Sequence, residues 1–180
     1  MTVTKGVWHF IEDRDHQLMQ RVHRWRAPRW IRLWMISATR LGDGWCWYSL
    51  GVLLAIFGGA QRLEAIGAGA AGALSGIVIF RVLKKASHRK RPCHIQPHCW
   101  SLILPPDQFS FPSGHSITAF AVAVSTGLFY PQIMGVLLLI AASIALSRII
   151  LGMHFLSDVV VGSIMGAMLG AIFFATFHSL

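Results

Sequence analysis

Three short clusters in this chain carry residues that could handle a phosphate. They read Lys84-(six residues)-Arg91-Pro92, Pro112-Ser113-Gly114-His115, and Ser147-Arg148-(five residues)-His154-(three residues)-Asp158. Lys84, Arg91 and Arg148 can neutralise phosphate oxygens, the arginines through a planar fork of donors. Ser113 and Gly114 stand where a helix would start, and free backbone amides at such a start attract an anion. The other reading of Ser113 is a plain helix cap. His154 and Asp158 are four apart, on one helix face, so the carboxylate can hold one imidazole nitrogen and leave the other free to attack phosphorus. Standing alone, the pair would read as a core histidine satisfied by an acid. His115, beside the glycine turn, suits a general acid for a departing oxygen. Lys85, Arg89 and Lys90 read as anchors that snorkel toward head groups, whereas Arg148 ends a long apolar run, where a charge is expensive and usually functional.

The elements that must position these residues are apolar. The chain has 180 residues, 54% hydrophobic and 13% charged, with a net charge of +9 and a mean hydropathy of +0.57. A soluble domain carries about a quarter charged residues, so much of this surface must face something other than water. The basic balance suits anionic head groups or a phosphorylated substrate. Nucleic acid is not expected as a partner, because most arginines lie beside apolar spans. Met1 to Ile31 does not read as a secretory signal, since it mixes acids and arginines without an apolar stretch.

A hydrocarbon core takes about 20 apolar residues as helix. Residues 45–60, 63–83, 116–130, 132–146 and 155–177 are read as five spanning helices. Residues 7–40 are amphipathic: Trp8, Phe10, Ile11, Leu18, Met19 and Val22 alternate with Arg14, Arg21, Arg24 and Arg26, and Pro28 divides the stretch. Helices lying in the interface are expected there; alternatively, residues 29–41 belong to a sixth, partly re-entrant segment. The expected fold is therefore an all-α integral membrane bundle of about five to six transmembrane helices. It forms one domain over 1–180, with interfacial helices in 1–42 and the catalytic bundle in 43–180. In an up-down bundle the three clusters fall on one membrane side, and the loop 86–111 forms a lid or rim. Gly72 and Gly76, and Gly162, Gly166 and Gly170, form rows of small residues. These suit close packing inside one bundle, with a dimer face as the alternative.

The three clusters resemble the signature of the type-2 phosphatidic acid phosphatase family, a superfamily shared with vanadium haloperoxidases and glucose-6-phosphatase. The stretch Pro105-Pro106-Asp107-Gln108-Phe109-Ser110-Phe111-Pro112-Ser113-Gly114-His115 is also similar to its small bacterial membrane members, and the likeness runs over 81–180. The resemblance implies a metal-independent lipid phosphatase without cofactor. In it His154 would form a phosphohistidine, Asp158 would orient it, His115 would be the acid, and Lys84, Arg91, Ser113, Gly114 and Arg148 would bind phosphate. It implies a lipid phosphate substrate in a bacterial inner membrane. Undecaprenyl diphosphate is favoured over phosphatidylglycerol phosphate, phosphatidic acid or lipid A. A vanadate-binding haloperoxidase is disfavoured by the apolar spans, and a non-catalytic phosphate-binding membrane protein by the His154–Asp158 pair. The arginine count puts the site on the cytoplasmic face by the positive-inside rule; the resemblance puts it on the periplasmic or outer face, which is the expectation taken. Cys46 reads as inert packing. Cys93 and Cys99 flank His94 and His98, a poor spacing for tetrahedral zinc, and a disulfide is expected if the loop faces an oxidising space, free thiols being the alternative.

Overall fold

The computed structural model describes residues 2–25, 27–95 and 107–179, with side chains from residue 9 onward except that of residue 23. Its described residues are organised as eight α-helices: α1 Thr2–Arg24, α2 Arg29–Leu41, α3 Trp45–Phe57, α4 Arg62–Ser87, α5 Pro92–Ile95, α6 Gly114–Phe129, α7 Pro131–Ile150 and α8 Leu156–His178. One turn of 3-10 helix, Gly59–Gln61, leads into α4. The five expected apolar helices are present as α3, α4, α6, α7 and α8. Three spans are long and apolar enough to cross a bilayer, Gly59–Ser87, Pro131–Ile150 and Leu156–His178. The 13 residues of α3 and 16 of α6 extend about 20 and 24 Å at 1.5 Å per residue, short of a hydrocarbon core of about 30 Å. The all-α membrane bundle stands as expected, with α3 and α6 shorter than the other three apolar helices.

The shortness of α6 has a physical counterpart in its surroundings. It lies among α4, α7 and α8, and Ile117, Ala119, Ala121, Ala123, Ser125 and Thr126 are all buried. A helix wrapped in protein needs small residues that admit neighbours rather than large ones that face lipid. The glycine rows supply the other half of that fit. A Cβ on Gly162 would lie 2.7 Å from the Ser113 carbonyl oxygen, on Gly166 2.3 Å from that of Ile117, and on Gly170 2.6 Å from that of Ala121. From α4, a Cβ on Gly76 would meet the Ile117 side chain at 2.5 Å. Both rows therefore face α6 within one chain, the packing reading of the two. The large apolar residues Leu74, Val78, Val82, Leu139, Ile164, Met168 and Ile172 point outward, as lipid requires.

The amphipathic stretch forms α1 and α2, divided at Pro28 as expected. On α2, Met35 and Ala38 are buried, Met35 in a cluster with Leu151 and Met153, while Trp30, Leu33 and Trp34 are exposed. Aromatic residues beside Arg29, Arg32 and Arg40 suit the bilayer interface. The helix also packs on α7, which brings the Gly42-Asp43-Gly44 turn to the end of the bundle that carries the three clusters. A Cβ on Gly42 would meet the side chains of Ile144 at 2.7 Å and His115 at 3.2 Å, so only glycine lets the turn approach this closely.

Candidate active site

The ends of α4, α6, α7 and α8 that carry the three clusters meet at one end of the bundle. Lys84, buried in the last turn of α4, reaches a cavity of about 320 Å³ that is also lined by Arg91, Gly114, His115, Arg148 and His154. Arg148 is buried at the end of α7. Its backbone carbonyl accepts from the amides of Met153 at 2.9 Å and His154 at 3.0 Å. Gly152, at φ 69°, takes a left-handed conformation that glycine adopts at little cost and turns the chain back onto that carbonyl. The side chain of His154 is thereby set against α7 before α8 begins.

The imidazole is fully enclosed. Nε2 of His154 lies 3.0 Å from Nη1 of Arg91, whose Nη1 also donates to the Met153 carbonyl at 2.8 Å. Nδ1 faces Oδ2 of Asp158 at 3.5 Å. Burial, then the charges of Arg91 and Arg148, hold the ring well below the ordinary imidazole range, so it is neutral and one nitrogen has a lone pair at neutral pH. Asp158 also accepts from the Phe155 amide at 2.9 Å. Among the described residues, Nε of Arg148 is a buried donor without a hydrogen-bond partner, although it belongs to a residue lining the cavity. Buried polar groups are rarely left so, and an anion accepting from several cations is the group this donor set fits.

Two of the expected residues divide their tasks. Gly114 lines the cavity at the start of α6. Ser113 lies one step behind, fully buried. Its hydroxyl accepts from the Ser116 amide at 3.4 Å and its own amide donates to the Asp158 carbonyl at 3.0 Å. The capping reading of Ser113 is the one this geometry matches.

Five residues enter the site that the three clusters do not contain. Asp107 binds Nζ of Lys84 at 2.7 Å and Nη2 of Arg91 at 2.5 Å, with its own carbonyl accepting from Arg91 Nε at 3.0 Å. Burial works against its charge, and the two cations outweigh burial and hold the carboxyl below its usual range. Asp43 places Oδ1 2.9 Å from Nε2 of His115. Thr39 of α2 accepts from Arg148 Nη1. Arg89 is not a surface anchor, unlike Lys85 and Lys90, which are exposed. It is buried, pairs with Asp158 at 2.6 Å and with Asp15 of α1 at 2.7 Å, and stacks on Phe155 at 4.3 Å. The sequence signals were faint: an acid on the apolar face of α1 between Ile11 and Met19, and a lone acid between two glycines at 42–44. Cys93 is half-buried in α5; Cys99, and with it the expected Cys93–Cys99 disulfide, lies outside the described residues, as does 96–106 of the expected rim.

The cavity has apolar as well as charged walls. Trp47, Tyr48, Ala73 and Val122 line it and also line a second, nearly apolar cavity of about 490 Å³ between α3 and α4. The site therefore joins a cationic cradle to a hydrocarbon-compatible groove.

The chain is similar to known proteins. The decaprenylphosphoryl-5-phosphoribose phosphatase of Mycobacterium tuberculosis is 38% identical over 130 residues, 70% of this chain and 68% of that protein. An undecaprenyl-diphosphatase of Sulfolobus acidocaldarius is 29% identical over 135 residues, 74% of this chain and 64% of that protein. The crystal structure of Aquifex aeolicus LpxE superposes with a TM-score of 0.73 at 27% identity, covering 88% of this chain and 93% of that one. The PAP2 superfamily matches residues 64–180, the part that holds all three clusters, and the chain belongs to that superfamily as a membrane phosphatase, a hydrolase of phosphoric esters.

Proposed function

We propose that this protein removes phosphate from a polyprenyl-linked lipid through a phosphohistidine. The observation that carries the reading is the joined cavity: a cradle of Lys84, Arg91 and Arg148 around the His154 ring, opening onto the apolar groove between α3 and α4. The phosphate enters the cradle and the hydrocarbon chain lies in the groove. Nε2 of His154 attacks phosphorus while Asp158 steadies the ring through Nδ1. The bond from phosphorus to the leaving oxygen breaks, and His115, held by Asp43, delivers a proton to that oxygen. Water then attacks the phosphohistidine, His115 takes its proton, the N–P bond breaks, and inorganic phosphate leaves. Phosphoryl transfer needs mainly positioning and charge neutralisation, and the three cations with the first-turn amides of α6 supply both.

The reading takes undecaprenyl diphosphate as the substrate. Similarity to the mycobacterial enzyme supports a second one, decaprenylphosphoryl-5-phosphoribose, and a polyprenyl chain is common to both. Phosphate release from these two, with phosphatidylglycerol phosphate, phosphatidic acid and lipid A as comparators, tests the assignment; preference for a diacyl lipid would reject the polyprenyl class. Activity is expected to persist in EDTA and to fall with vanadate. Loss in chelator with recovery on added magnesium or zinc would show a metal requirement. The whole chain acts as one domain in the inner membrane, with the site on its outer face. Among the buried cations, Lys84 and Arg91 pair with Asp107 and Arg89 with Asp15 and Asp158, so these three count less toward orientation than exposed arginines do. Thiol labelling of intact cells and of denatured protein, before and after reduction, tests the face. Cys93 and Cys99 oxidised to each other supports it; free thiols reached only from the cytoplasmic side reverse it.

A further inference from the structure

We propose that Asp15 and Arg89 are positioning residues for the His154–Asp158 pair, so that the interfacial helix α1 sets the charge available to the nucleophile. The proposal rests on His154 being that nucleophile. Arg89 donates Nη1 to Oδ1 of Asp158 at 2.6 Å and Nη2 to Oδ2 of Asp15 at 2.7 Å. Ser157, next to Asp158 in the chain, donates its amide to Oδ1 of Asp15 at 3.1 Å and accepts from Arg89 Nη1 at 2.7 Å. Its hydroxyl also bonds Asp15. Asp15, Arg89 and Asp158 are 5%, 9% and 0% exposed, so solvent screens none of these contacts effectively.

The charges explain why two acids are needed. A phosphohistidine, or a protonated His154, requires a carboxylate at Nδ1 whose charge is not already cancelled. Arg89 fixes Asp158 by one strong bond but by itself would neutralise it. Asp15 returns the balance: with two carboxylates and one guanidinium, the cluster keeps one net negative charge facing His154. Arg89 can then lock the Asp158 rotamer without silencing it. Asp15 lies on the buried face of α1 with Met19, where a carboxylate without a partner would be costly.

The test measures kcat and KM of the full chain in detergent for Asp15→Asn, Asp15→Glu, Arg89→Lys and, alongside them, His154→Ala. Asp15→Asn keeps shape and loses charge. It should lower kcat by roughly tenfold, as loss of a partner behind a site ligand does, with KM changed less than twofold. Asp15→Glu should recover most of that loss at equal thermal stability. Asp15→Asn with wild-type kcat, or Asp15→Glu as impaired as Asp15→Asn with a matching drop in Tm, would reduce the cluster to an anchor for α1 and overturn the proposal. Should Asp15→Asn not fold, Arg89→Lys decides by the same split: a fall in kcat at constant KM supports it, and unchanged kcat rejects it. An active His154→Ala protein would instead reject the nucleophile, which separates the two failures.

Discussion

Arg89 and Arg91 are two residues apart and point to opposite sides of His154. Arg91 faces the cavity, and its carboxylate partner, Asp107, has a side chain 40% exposed. Arg89 faces the back, and its partners Asp15 and Asp158 are 5% and 0% exposed. An arginine with an exposed partner can exchange it for a phosphate; one enclosed by two buried acids cannot without leaving charges stranded. The front of the site is thus built for exchange and the back for permanence, although both cations come from one short loop.

The largest expected effect lies at the centre of this contrast. His154→Ala should lower phosphate release by at least about a thousandfold while the protein stays folded, and Asp158→Asn should lower turnover strongly. Near-normal activity in a folded His154→Ala variant would dissolve the division into front and back. Arg91→Ala and Arg89→Met sharpen it. Arg91→Ala should lower kcat/KM by roughly a hundredfold or more, with a smaller loss of Tm than Arg89→Met. Arg89→Met should cost about 3–5 kcal/mol of stability, because it strands buried acids. Thermal melts and steady-state kinetics of the two variants decide, and equal Tm losses would erase the distinction.

A pH profile probes the front more finely. The folded-state pKa of His154 lies below its ordinary value, by burial first and Arg91 second. The ring therefore stays neutral as pH falls through about 6.5, the ordinary imidazole value, and, with His154 as the proposed nucleophile, the acid limb of kcat/KM should lie below it. The corresponding stability is complete above that value and is lost as pH falls from it toward the depressed folded pKa. Arg91→Ala should move the acid limb upward; an unmoved limb would mean Arg91 does not act on the ring. The smallest effect is expected at Asp107. Asp107→Asn removes an internal anion that competes for Lys84 and Arg91, and should tighten vanadate inhibition by roughly two- to fivefold. Weaker inhibition would place Asp107 among the groups that hold the ligand.

Much of this site was legible in the sequence because its residues fall in short clusters at or next to helix ends. His154 and Asp158 were expected on one helix face, but His154 precedes α8 and meets Asp158 through the Gly152 turn and the Arg148 carbonyl; Gly114 must open a helix if Ser113 caps it. The apolar spans announced the membrane, and their order put the three clusters on one side. The glycine rows announced close packing, though only the structure showed that both rows face α6. Arg89 was misread as an anchor because Lys85, Arg89 and Lys90 are alike as letters in a basic run; what separates Arg89 is an acid 74 residues away on α1.

What the sequence by itself determined is the set of groups proposed to act on phosphate, their places at or beside helix ends, and the apolar medium around them. These follow from helical period and hydropathy, which are local. Only the tertiary structure decided which cations face the cavity and which are locked behind it, that α2 and its Gly-Asp-Gly turn bring Thr39 and Asp43 to Arg148 and His115, and that Asp107 lies between Lys84 and Arg91. The physical reason is that a buried charge takes its role from its partners, and these partners come from helices and loops that only packing brings together.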